Sequence, residues 1–106
     1  MKTWPFDIAP MTPVITTRQV LDDGLPILVV LHFLSDGSWG FLCGTADLEE
    51  DGEEVPLLEL VNLDRTLLKI ADLPRGWKAW RPARGKPWNS AINDADTLVE
   101  TIGDTE

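Results

Sequence analysis

Ile27-Leu28-Val29-Val30-Leu31-His32-Phe33-Leu34-Ser35-Asp36-Gly37-Ser38-Trp39-Gly40-Phe41-Leu42-Cys43 decides the fold. Two apolar runs rich in β-branched and aromatic residues flank a short polar break, which is the pattern of a β-hairpin. Asp36-Gly37 between serines is the signal of a two-residue type I′ turn, because both central residues of that turn need positive φ. A two-residue turn would pair Leu34 with Trp39, His32 with Phe41 and Val30 with Cys43. One face would then carry Leu28, Val30, His32, Leu34, Trp39, Phe41 and Cys43. The opposite face would carry Ile27, Val29, Leu31, Phe33 and Leu42, flattened by Gly40 and Gly44. A strand apolar on both faces is expected to be internal and covered on both sides.

Outward from the hairpin, residues 14–24 read as a short helix, capped by Thr16 or Thr17 and closed by Gly24. Residues 1–13 hold Pro5, Pro10 and Pro13, which fix φ and remove donors, so an extended arm is expected there. Its Trp4, Phe6, Ile8 and Met11 would hold it against the body. Residues 45–54 are a polar loop. Pro56 opens one helical segment bearing Leu57, Leu58, Leu60 and Val61, and Asp64 caps a second with Leu67, Leu68 and Ile70, stopped by Pro74. Gly76 to Arg81 alternates as a third strand. Residues 89–106 form an acidic tail, in which Ala95, Leu98, Val99 and Ile102 place an apolar stripe at helical spacing. The expectation is one α+β domain over residues 14–88. It comprises a small three-stranded antiparallel sheet (residues 26–34, 39–44 and 76–82) with two to three short helices, and the segments between 56 and 72 form the crossover.

Charge narrows the function. Nine basic residues stand against 18 acidic in a chain of 106, a net of −9. That argues against general nucleic-acid binding, which needs a basic face to displace counterions, and against docking on an anionic membrane. The acidity is uneven. Residues 45–64 hold eight acids and no cation, whereas residues 65–88 hold seven cations and one acid. No apolar stretch reaches the roughly 20 residues of a membrane-spanning helix, and the N-terminal stretch lacks a signal-peptide core. A cytoplasmic location is expected. The single cysteine, Cys43, excludes an intramolecular disulfide.

Three groups of residues bear on chemistry. In the two-residue-turn register, His32 and Cys43 are diagonal neighbours on one face, the separation a thiol–imidazole pair requires. Their apolar surroundings raise a thiol's pKa and favour a core role. The acidic loop Asp47-x-Glu49-x-Asp51-Gly52 matches the opening of a calcium loop, but the twelfth position, which should be a bidentate Glu, is Leu58. Calcium is not expected, nor any other metal or cofactor. Asp47, Glu49, Glu50, Asp51, Glu53 and Glu54 read instead as a contact surface for a basic partner. Arg75, Lys78, Arg81, Arg84 and Lys86, interleaved with Trp77, Trp80 and Trp88, form an alternative anion or partner patch. Asp72, before Leu73-Pro74, is read as a helix-end or turn residue.

Trp39-Gly40-Phe41-Leu42-Cys43-Gly44 and Asp72-Leu73-Pro74-Arg75-Gly76-Trp77-Lys78-Ala79-Trp80-Arg81 together resemble motifs of a group of small bacterial proteins of unknown function. That group is similar to domains assigned as immunity proteins of contact-dependent or polymorphic toxin systems. The resemblance spans residues 14–88. It implies a small α+β fold and a bacterial cytoplasmic origin, and it carries over no functional residue. The function expected is therefore a non-enzymatic protein-binding module, of immunity or adaptor type, presenting an acidic surface to a basic protein partner. The alternatives are a thiol-dependent enzyme or redox sensor using Cys43 and His32, and a homodimer in which Trp80 or Trp88 completes a neighbour's core.

Overall fold

A computed structural model describes residues 4–44 and 48–93, with only the backbone of Leu48 and Glu49. Along the chain come β1 (Pro13–Thr17), α1 (Arg18–Asp22), β2 (Val29–His32), β3 (Trp39–Leu42), α2 (Leu48–Asp51), β4 (Gly52–Pro56), α3 (Leu57–Leu63), a 3-10 helix (Arg65–Ile70), β5 (Trp77–Trp80) and β6 (Asn89–Ile92). The fold is α+β. Its sheet is six-stranded and mixed, in the order β4-β1-β3-β2-β5-β6, so the expected small three-stranded antiparallel sheet is corrected. The hairpin and the strand after Gly76 form its centre. The additional strands are β1, β4 and β6.

Each addition has a local reason. Pro13–Thr17 is a β-branched run, and tertiary pairing overrides the capping signal of its threonines. β1 runs parallel to β3 through Ile15 opposite Gly40, and antiparallel to β4 from Pro13 opposite Pro56 to Thr17 opposite Gly52. The helix expected over residues 14–24 shrinks to α1, and Thr17 precedes it without a side-chain cap. Gly52–Pro56, expected within or beside a loop, is an edge strand whose glutamates and proline discourage further pairing. β6 falls where only a tail was expected and closes the opposite edge against β5, Trp77 facing Ile92.

The hairpin register differs from the two-residue turn. His32 pairs with Trp39 and Val30 with Phe41. Phe33 N–H donates to Ser38 O at 2.8 Å and Gly37 N–H to Phe33 O at 3.0 Å, leaving a four-residue loop. Only Gly37 adopts positive φ, +73°, and Asp36 does not. Asp36 instead accepts from Ser38 N–H (3.0 Å) and Ser38 Oγ (2.7 Å), which holds its carboxyl below the usual carboxylate range. The longer loop spares Asp36 the left-handed conformation that a type I′ turn demands.

A slip of two residues preserves side-chain parity. Within the paired strands the two faces therefore keep their assigned sides. Ile27, expected on the outer face, is instead buried in the core ahead of β2, and Leu34 and Leu28, expected on the inner face, are exposed in the loop and half-buried outside the core, respectively. On the inner face Val14, Val30, Trp39, Phe41, Cys43 and Ala79 join Leu57, Leu60 and Val61 of α3, Leu67 and Ile70 of the 3-10 helix, and Phe6 of the arm in one core. Trp39 is fully buried, stacked on His32 at 3.9 Å and edge-on to Phe6 at 5.2 Å. Thr16 Oγ1, also fully buried, donates to Phe41 O at 2.7 Å across the parallel pair.

The outer face is different. Ile15, Val29, Leu31, Phe33 and Leu42 are only half-buried. They stand outside the core and outside the side chains packed on it. Trp80, in line with Val29 and Leu42, is 38% exposed, and Phe33 lies over the bare Gly40 at 3.3 Å from where a Cβ would sit. β2 is internal, as expected, but its second face is not sealed by any described element of the core.

Candidate functional site

The sheet order separates the charges. β4 lies at one edge and β5 is four strands away, about 19 Å at the ordinary strand spacing. α2 and β4 carry the acids. Glu50, Glu53 and Glu54 are exposed, and Glu53 and Glu54 point to opposite sides of the strand, opposite Thr16 and Ile15. Asp51 is ion-paired with Arg18, whose guanidinium is pushed up mainly by that bond. Asp47 lies outside the described residues, as does the Glu49 side chain.

The five cations of the alternative patch do not form one surface. Arg81 is 3% exposed. Its Nε and Nη2 donate to Ile27 O at 3.1 and 2.9 Å, its Nη1 to Thr66 Oγ1 at 3.0 Å, and its Nη2 pairs with Asp64. The Trp88 ring covers the guanidinium at 4.2 Å. Arg81 thus pins β5 to the start of the 3-10 helix and to the chain before β2. Burial works to raise the Asp64 carboxyl, but bonds from Thr66 Oγ1, Arg81 and Thr66 N–H outweigh it and hold the group below the usual range. Arg84 donates to Leu63 O. Arg75 lies over the hairpin loop at Gly37. Lys78 sits on the outer face, its Nζ 5.6 Å from the Trp80 ring centre. Lys86 lies with Lys69 and Trp88 along a shallow groove.

The register moves His32 away from Cys43. Cys43 falls opposite Leu28, whose N–H donates to Leu42 O. Four strand residues, about 13 Å, separate that row from His32. His32 Nδ1 donates to Leu73 O at 2.7 Å, and Cys43 is 4% exposed within the core. The diagonal contact expected from the two-residue turn is absent, and with it the geometry for a thiol–imidazole pair. Asp72 is exposed in the turn after the 3-10 helix. Among the described residues no three His, Cys, Asp or Glu side chains gather to hold a metal ion, and no helix is long and apolar enough to cross a membrane.

Reading by residue type missed the Asp64–Thr66–Arg81 network, although Asp64 was legible as a cap, and its side chain does accept from Thr66 N–H at 3.0 Å. It also missed the outer face as a surface, although the signal was present in Val29, Leu31 and Phe33 on alternate positions. Comparisons with family models, with curated proteins and with solved structures return no match.

Proposed function

We propose that the chain is a non-catalytic protein-binding domain of the immunity or adaptor type, whose acidic edge at α2 and β4 receives a basic protein partner. The observation that supports it is the sheet order. The exposed glutamates 50, 53 and 54 lie at the edge remote from β5, and the buried cation just after that strand, Arg81, is matched by Asp64 instead. The acidic edge is therefore not consumed by the chain's own basic segment. Complementary charge at such an edge accelerates encounter and sets specificity more than it adds affinity. The bacterial immunity resemblance of the Trp39–Gly44 and Asp72–Arg81 motifs points to the same class of partner.

The test is affinity capture from the native cells followed by association kinetics. The triple variant Glu50→Lys, Glu53→Lys and Glu54→Lys alters exposed side chains only, and a thermal melt checks that it remains folded. A captured basic protein should associate at least about tenfold more slowly with the variant, and the difference should fade with added salt. Equal association by both forms at low salt overturns the reading.

A further inference from the structure

The outer face of the sheet is apolar, and none of the described core lies upon it. An interior strand with such a face asks for a further layer. The residues of this face fall into rows that cross the strands. In one row Glu54 stands beside Ile15, Ile15 beside Gly40, Gly40 beside Leu31, and Leu31 beside Lys78. The row therefore runs over β4, β1, β3, β2 and β5 in turn. Glu54 is exposed, and Ile15, Leu31 and Lys78 are half-buried. Phe33 folds over the middle of the row, its ring 3.3 Å from where a Cβ of Gly40 would sit.

The row is balanced about Gly40. One strand to either side stands a branched aliphatic residue, Ile15 or Leu31. Two strands to either side, about 10 Å away, stands a charge, and the two charges are opposite. That is the pattern of a self-complementary contact, in which a two-fold axis brings each residue onto its counterpart in an identical chain. We propose that the outer face is the interface of a homodimer, two copies packed face to face about an axis that runs along β3. Glu54 of each copy then meets Lys78 of the other, Ile15 meets Leu31, and the two Phe33 rings fill the centre above Gly40. Aligned sheets pack about 10 Å apart, a gap that a glutamate and a lysine reaching toward each other can span. Trp80, 38% exposed on the same face, is also covered. Glu53 points to the opposite side of β4 and takes no part, which leaves it to a different partner.

Sedimentation of the full chain across a dilution series provides the test, with charge exchanges at the two ends of the row. The parent should pass from monomer to dimer as concentration rises. Glu54→Lys places two cations together at both ends of the interface, and Lys78→Glu places two acids there. Each variant alone should raise the dimer dissociation constant at least about tenfold. An equimolar mixture of the two variants restores opposite charges at both ends and should dimerise as the parent does. The double exchange Glu54→Lys, Lys78→Glu in one chain should do the same, so a folding defect in one single variant does not decide the result. A parent that stays monomeric at every concentration overturns the proposal. So does a dimer indifferent to both single exchanges, or a mixture and a double exchange that both remain monomeric.

Discussion

Val30 and Leu31 are neighbours in one strand, yet they live in different environments. Val30 is fully buried beneath α3 and the 3-10 helix, among Trp39, Phe41 and Ala79. Leu31, one residue on, is half-buried on a face the described core does not reach. Composition does not distinguish the two sides, since both are apolar. What distinguishes them is which side the crossover from β4 to β5 covers. Hydrophobicity thus reports that a strand wants burial on both faces, and connectivity decides which face receives it.

The sharpest way to break that comparison uses two phenylalanines of the hairpin. Phe41→Ala on the inner face should cost about 3–5 kcal/mol, because its fully buried ring leaves a cavity. Phe33→Ala on the outer face should cost about 1 kcal/mol, the ordinary value for a point change. Urea titrations of both variants measure the contrast, and equal losses would show the two faces to be equally closed. Arg81→Met probes the inner side through charge. It leaves Asp64, 6% exposed, without its cation, for an expected loss of about 3–5 kcal/mol. The double variant Arg81→Met, Asp64→Leu should recover most of that loss.

Thr16→Val removes the hydroxyl that bonds Phe41 O and should cost about 1 kcal/mol by the same titration. Acid sensitivity should follow Asp64. Its pKa is lower folded than unfolded, so its contribution is present above the unfolded value near 4 and fades as pH falls through the folded one. Melting temperatures from pH 6 to pH 2 should fall less steeply for Asp64→Asn than for the parent chain. On the outer face Lys78→Ala removes only a cation over Trp80, and about 0.5 kcal/mol is expected.

The sequence made the hairpin's two faces legible even though its turn was misread, because the slip was by two residues and parity survived. Asp64 as a cap and the strand after Gly76 were equally legible, each having a local signal. β1, β4 and β6 were not. Thr16 and Thr17 suit a strand or a helix start, and only pairing with Glu53 and Gly52 decides between them. Glu53-Glu54-Val55-Pro56 has little strand propensity, and Asn89-Ser90 has less. The lost His32–Cys43 proximity has the same origin. Parity is local, whereas register depends on how many residues the loop consumes. Of the candidate acidic surface, the exposed glutamates were readable from composition, but their place at the sheet edge remote from the basic strand was not.

The pairing of β1 with β4 has a consequence for how the molecule opens. The β2–β3 hairpin closes over a four-residue loop, whereas β1 and β4 are joined across roughly forty residues and meet the sheet only through β1. In hydrogen exchange the central hairpin should behave as the last unit to release its amides. The acidic edge should behave as an early and separable one. A partner bound at that edge would then be read most directly as slowed amide exchange in Val14 through Thr17 and Glu53 through Val55.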